Sequence, residues 1–194
     1  MFSTADALLF RPLLLKDLSR LVVVYGIRQG RINEPDVISP ADFLDLRAQS
    51  KSIEHFSAWT AWSANVTGDG KPERVRGYRV SGDFFRALGT DAMVGRSLLP
   101  DEDQPGSERV VVLSYGFWER RYGADVKALG KSMELDGQAH QIGGVMPPDF
   151  RYPPDGELWV PLALGPREQN LWGSFYLQAV AKLKPGSSVG QANA

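Results

Sequence analysis

Short apolar runs alternate with turn signals along most of the chain. Leu21-Val-Val-Val-Tyr25 is a β-branched apolar run that predicts a buried strand. Gly26 to Pro35 is polar and turn-rich and predicts an exposed loop. Ser39-Pro40 marks a helix start, with a serine cap, proline at the first helical position and Asp42 in the first turn. Phe43, Leu46, Ile53 and Phe56 then fall on one face, so this helix is expected to bury one side across a polar middle at Gln49 to Ser52. From 57 to 80, Trp59, Trp62, Val66, Val75, Tyr78 and Val80 are spread among Gly68-Asp-Gly70 and Lys71-Pro72. That pattern predicts short strands joined by turns.

The second half is more sharply punctuated. Ser81-Gly-Asp83 is expected to cap a short helix from Phe84 to Leu88, ended by Gly89. Val110-Val-Val-Leu113 is a continuous apolar run, as in a strand covered on both faces, and Ser114 caps a helix to Arg121 closed by Gly123. Ser132 to Leu135 and Gln138 to Val145 flank Asp136-Gly137, a hairpin signal because both turn residues tolerate positive φ. Met146-Pro-Pro148 and Tyr152-Pro-Pro154 predict rigid, non-helical connections. Glu157 to Val160 and Tyr176 to Leu183 read as two further strands, with Leu177, Ala179, Ala181 and Leu183 on one face. A helix opening at Ser187 or Ser188 runs to Ala194, so the rest of that element is expected to lie beyond the sequence. There is no internal repeat.

Composition narrows the function. The 194 residues suffice for one domain or two small ones, with 43% hydrophobic and 23% charged residues, ordinary for a globular chain. A net charge of −1 and scattered arginines (Arg74, Arg76, Arg79, Arg120, Arg121) give no basic field for nucleic acid. The absence of cysteine excludes disulfides, thiolate metal sites and cysteine nucleophiles. Met1 to Leu15 is apolar but interrupted by Asp6 and Arg11, shorter than the about 20 residues a membrane helix needs. It reads either as a core-packing first helix or as the end of a membrane helix that begins outside the sequence.

No catalytic constellation emerges. The two histidines, His55 and His140, are far apart and read as structural or surface groups. Asp101-Glu-Asp103 lacks the alternating spacing of an EF-hand and reads as a solvated loop or helix N-terminus. There is no G-x-S-x-G elbow, and Gly130-Lys131-Ser132 lacks the upstream glycine of a phosphate loop. Nothing marks a hydrolytic carboxylate pair, so no enzyme, cofactor or metal is expected. The Asn65-Val-Thr67 sequon is too short a match to carry weight. Trp59, Trp62, Trp118, Trp159 and Trp172 could form a stacking platform, but aromatics in regular elements are more often core. Trp172, in the loop Gln169-Asn-Leu-Trp-Gly173, is the least strand-like and is the candidate partner contact.

The ordered blocks carry a resemblance. Val80-Ser-Gly-Asp-Phe-Phe-Arg-Ala-Leu-Gly89, Leu99-Pro-Asp-Glu-Asp103, Val110 to Gly123, Leu135-Asp-Gly137 and Ile142 to Pro153 resemble the periplasmic core domain of MacB-type and FtsX-like ABC transporter permeases. The similarity extends to Ala7-Leu-Leu-Phe-Arg-Pro-Leu13, Ser39 to Arg47, Leu158-Trp-Val-Pro-Leu162 and Val180 to Gly186, so it covers nearly the whole chain. Each block is only a turn or a cap; their shared order is what is specific, and its tone is closest to the duplicated-permease branch.

The resemblance implies an α+β domain between the first two transmembrane helices of a permease, on the periplasmic face of a bacterial inner membrane. It implies a porter-like subdomain from residues 18–66 and 157–194, a β-rich sabre-like insertion from 67–156, and residues 1–17 at or just after the first membrane helix. It further implies a non-catalytic relay of ATP-driven movement. The implied partners are the permease's own transmembrane helices and a cytoplasmic ATP-binding subunit acting indirectly, with a second permease copy and an extracytoplasmic adaptor protein. The relay reading predicts no ligand-sized apolar pocket. The alternative is a free-standing extracytoplasmic module that binds carbohydrate or lipid through exposed aromatics.

Overall fold

The computed structural model describes residues 2–4, 18–26, 37–68 and 70–192. A sheet of ten strands dominates: β1 (Phe2–Thr4), β2 (Leu21–Val24), β3 (Ile53–Thr67), β4 (Glu73–Val80), β5 (Val94–Gly95), β6 (Val110–Leu113), β7 (Ser132–Leu135), β8 (Gln138–Val145), β9 (Leu158–Pro161) and β10 (Gln178–Leu183). Among the described residues four α-helices accompany it: α1 (Pro40–Gln49), α2 (Phe84–Ala87), α3 (Tyr115–Tyr122) and α4 (Val189–Ala192). The α+β class read from the sequence is therefore correct. No helix among the described residues is long and apolar enough to cross a membrane.

The strand order is β1-β2-β10-β3-β4-β9-β6-β8-β5, with β7 off this path, pairing both β8 and β3. That last pairing, Val66 opposite Leu135 and Thr67 opposite Glu134, closes β3-β4-β9-β6-β8-β7 into a ring. One half of the molecule is thus a small barrel, and the other is an open sheet of β1, β2, β10 and the first half of β3. β3 belongs to both. Its residues Ile53 to Trp59 pair β10 and Trp59 to Val66 pair β4.

Strand alternation sorts the apolar side chains into three clusters. Inside the barrel, every strand of the ring contributes: Ala64 and Val66, Val75, Leu158 and Val160, Val111 and Leu113, Ile142 and Val145, Met133 and Leu135. Phe117 and Trp118 of α3 join them. On the open half, Val22, Val24, Phe56, Ala58, Leu177, Ala179, Ala181 and Leu183 pack under Phe43 of α1. The opposite face carries Trp59, Tyr78, Val80, Val110, Val112, Trp159 and Val180, covered by Phe84, Phe85 and Leu88 around α2 and by Met146 and Phe150. An aromatic cluster knits this third face, with Phe85, Phe150 and Trp159 ring centroids 5.3–6.0 Å apart.

Local signals explain the element ends. The Ser39 hydroxyl accepts from Asp42 N at 3.1 Å while the Asp42 carboxylate accepts from Ser39 N at 3.3 Å, a complete capping box for α1. Ser114 Oγ accepts from Phe117 N at 3.1 Å, and left-handed Gly123 (φ 61°) closes α3. Asp136 and Gly137, at φ 50° and 76°, make the β7–β8 turn as expected. The strands at Leu21, Val110, Leu158 and Gln178 also form where the pattern placed them.

Three expectations are corrected. The first helix stops at Gln49, and Ile53 and Phe56 lie on β3. They still share Phe43's cluster, because Leu183 pairs Ile53 while Lys182 pairs His55, leaving Glu54 as an extra residue that shifts the facing. Instead of short strands from residue 57, one strand of 15 residues runs to Thr67. At the N-terminus, Phe2–Thr4 form a strand pairing β2 rather than part of a helix. The rest of the Met1 to Leu15 segment, most of the Gly26 to Pro35 loop and Ala194 lie outside the described residues.

Candidate functional site

Several strands of the ring face the segments that precede β6 and follow β9. A cleft of about 560 Å³ opens there, floored by Trp62 (β3), Arg79 (β4), Val160 (β9), Leu135 (β7) and His140 (β8). Segments 104–109 and 161–163 form its rim. It is of ligand size, but polar groups make up much of its lining, unlike the apolar pocket that would contradict a relay role.

The floor is set by strand register. Trp62 lies over Gly77, where a Cβ would come within 2.9 Å of the indole, so glycine is what seats that ring. The Arg79 guanidinium stands 5.8 Å from the Trp62 ring centroid. His140 is buried, and its Nδ1 donates to the Gln138 carbonyl at 2.9 Å. Burial lowers its pKa below the ordinary histidine value, and the positive charges of Arg109 and Arg79 lower it further.

The rim is held by the sequence blocks that opened the second half. Ser81 Oγ accepts from Ala58 N at 3.1 Å and shares a hydrogen bond with Ser57 Oγ at 2.8 Å, fixing the end of β4 to β3. Gly82 sits under Leu99-Pro100, where a Cβ would meet Pro100 Cα at 2.5 Å and the Leu99 oxygen at 2.8 Å. The Asp103 carboxylate accepts from Gly82 N at 3.1 Å and Ala163 N at 2.7 Å. Glu102 accepts from Leu99 N at 2.8 Å and pairs with Arg96. Burial raises the Asp103 pKa, against the lowering effect of the two N–H groups and of Arg47. The acidic block opens a one-turn helix, Pro100–Asp103, as the helix N-terminus reading of Asp101 to Asp103 had it, and Asp103 also ties three segments together. Among the described residues no group of three or more His, Asp or Glu side chains is placed to hold a metal ion.

The remaining candidates are dispersed. His55 stands 3.8 Å from Asp83 and 3.9 Å from Glu54, away from His140. Trp59, Trp118 and Trp159 are core residues. Trp172 is 57% exposed and Leu171 beside it 38%. Their loop is fixed from within: Glu168 accepts from Gly165 N at 2.9 Å and from the Tyr176 hydroxyl at 3.2 Å, and Leu171 O accepts from Ala41 N of α1 at 3.4 Å. Burial, with the Glu168 charge, pushes the Tyr176 phenol up to about 12. Sequence reasoning did not find the cleft. Its one signal was Gly77 inside a strand, a mark of close approach that points across the pair to Trp62.

The fold, a closed barrel continuous with an open sheet, is shared with solved transporter domains. The periplasmic region of MacB from Actinobacillus actinomycetemcomitans superposes with a TM-score of 0.64 at 16% identity, covering 89% of this chain and 78% of that one. A domain of a putative permease from Porphyromonas gingivalis gives 0.61 at 19% identity over 79% and 71%. The extracellular domain of the ABC-type transporter YknZ from Gram-positive bacteria gives 0.60 at 15% identity over 89% and 85%. No curated protein matches the chain in sequence. The profile of the MacB-like periplasmic core domain matches residues 1–194, and the chain belongs to that family. It is a periplasmic domain of a MacB-like ABC transporter permease, as the resemblance implied.

Proposed function

We propose that this domain is a non-catalytic relay, passing ATP-driven movement of the permease's membrane helices to a substrate or partner protein on the periplasmic side. The observation that carries this reading is β3, one unbroken strand of 15 residues that serves both the α1-covered sheet and the barrel. A strand that pairs β10 along its first half and β4 along its second joins the two parts through one unbroken backbone, which transmits displacement instead of absorbing it at a hinge. The same arrangement supports a division into a porter-like part, 18–66 and 157–194, and a sabre-like part, 67–156, with β3 and β9 of the first part completing the ring of the second. The segment 1–17 would then adjoin the first membrane helix.

The relay acts with the permease's transmembrane helices and, through them, a cytoplasmic ATP-binding subunit; a second permease copy and an extracytoplasmic adaptor complete the assembly. Trp172, exposed on a loop braced against α1, is the candidate contact for the adaptor. The test uses the whole permease, reconstituted with its ATP-binding subunit in proteoliposomes. Trp172→Ala should leave basal ATP hydrolysis intact and lower adaptor-stimulated hydrolysis by about tenfold, the effect of losing a central aromatic contact. Unchanged stimulation removes Trp172 from the contact. ATP turnover or hydrolase activity by the isolated chain would defeat the non-catalytic reading.

A further inference from the structure

The cleft contains a charge arrangement that the relay does not use. Arg79 and Arg109 both line it and both are exposed. Neither makes an ion pair among the described residues, whereas Arg96, at the same rim, is held by Glu102 through two hydrogen bonds. Of the cleft's other carboxylates, Asp136 accepts from Asn65 N and Nδ2, both at 2.9 Å, and the Glu108 charge acts on Arg96. Two guanidiniums, one on β4 and one in the segment just before β6, thus line the same cleft with no ion pair among the described residues. Beside them, the half-buried Trp62 ring is the apolar surface of the cleft, backed by the buried Leu135, Val160 and Leu162.

We infer that this cleft is a binding site for an amphipathic oxyanion, a phosphate or carboxylate head on an apolar body. Arg79 and Arg109 grip the head, and the body lies along the Trp62 ring. The reasons are chemical. A guanidinium presents paired donors that match two oxygens of one phosphate or carboxylate, and two such forks enclose a single head group. The Arg79 fork is already oriented by its position over the Trp62 ring, so little side-chain freedom is lost on binding. A cleft of about 560 Å³ lies within the range of small-molecule sites. A neutral sugar would leave both guanidiniums unmatched, so the carbohydrate alternative fits this cleft poorly. The inference goes beyond the relay and does not depend on it, since binding is read on the 194-residue chain alone.

Trp62 provides the probe. Trp59, Trp118 and Trp159 are buried, so in a Trp172→Phe background the accessible indole is Trp62. Fluorescence titrations compare octyl phosphate, octanoate, inorganic phosphate and octyl glucoside, all below micellar concentration. Saturable binding is expected for octyl phosphate or octanoate, and whichever is tighter identifies the head. Arg79→Gln and Arg109→Gln should each weaken it by at least about tenfold, the usual worth of a charge-assisted hydrogen bond. Inorganic phosphate should bind at least about tenfold more weakly than octyl phosphate, and octyl glucoside should give no saturation. Calorimetric titration of the same variants, with circular dichroism to confirm their fold, guards against a change in Trp62 emission unrelated to binding. The inference is overturned if neither anion saturates, if octyl glucoside binds as well as they do, or if the folded arginine variants bind unchanged. Inorganic phosphate binding as tightly as octyl phosphate would also overturn it, by removing the apolar half of the site.

Discussion

Asp103 offers the sharpest test of how the two halves are fastened. Its carboxylate accepts from Gly82 N at 3.1 Å and from Ala163 N at 2.7 Å, joining the turn after β4, the segment after Leu99 and the segment after β9. A backbone N–H bonded to a charged acceptor contributes about 1.5–3 kcal/mol, and desolvation of the partly buried carboxylate offsets some of the total for the pair. Asp103→Ala, which leaves both N–H groups without this acceptor, should therefore cost about 2–3 kcal/mol. Asp103→Asn keeps one acceptor oxygen and should cost about half as much. Urea unfolding followed by tryptophan fluorescence reads this as a midpoint lowered by about 1 M for the alanine variant, at an m-value of about 2–3 kcal/mol/M. The pH dependence adds a sign. The folded-state pKa of Asp103 is raised, so the folded chain holds this proton more tightly than the unfolded chain. Its contribution is fully present below the unfolded carboxylate pKa and is lost as pH rises through the folded one. The deficit of Asp103→Asn relative to wild type should thus narrow as pH climbs through the carboxylate range. A deficit that widens instead would refute the raised pKa, and an alanine variant as stable as wild type would refute the tie.

Further outcomes follow from the same geometry. Gly82→Ala would force a Cβ to within 2.5 Å of Pro100 Cα, a backbone neighbour that cannot swing aside, and should cost about 2 kcal/mol or more in thermal or urea unfolding. Asp136→Ala removes the acceptor for Asn65 N and Nδ2 at the β3–β7 junction and should cost about 1 kcal/mol. Amide exchange should then accelerate first in β7 and the end of β3, with Asp136→Asn close to wild type. His140, whose pKa burial lowers, contributes stability above the unfolded histidine pKa of about 6.5 that is lost as pH falls through its lower folded value. His140→Gln should flatten that acid-side decline; an unchanged slope would remove His140 as its source.

The barrel seam and the cleft depend on the same strand. β3 closes the ring through Val66 and Thr67, carries Trp62 to the cleft, and sends Phe56 and Ala58 under α1. In the proposed relay, a ligand in the cleft would sit against the strand that joins the two halves. The Ser81–Gly82 and Leu99–Asp103 blocks, distant in sequence, are what hold the cleft rim in place.

Much of the local structure was legible in the residues. The capping box at Ser39, the Ser114 cap, the Asp136-Gly137 turn and the four-residue apolar strand at Val110 are decided within a few positions, by hydrogen bonds and backbone sterics that need no distant partner. The order of those blocks was sufficient to point to the family. Helical spacing misplaced Ile53 and Phe56 because spacing cannot register an intervening chain end and an extra residue at Glu54; pairing with β10 decides both. Closure of the barrel, the tie made by Asp103 and the meeting of Trp62, Arg79, Arg109 and His140 all join residues tens of positions apart. A sequence states which groups prefer to be buried, charged or bent, and those preferences act locally. Which of them meet is settled only when the whole sheet finds one register, since every strand in the ring must satisfy neighbours on both edges at once.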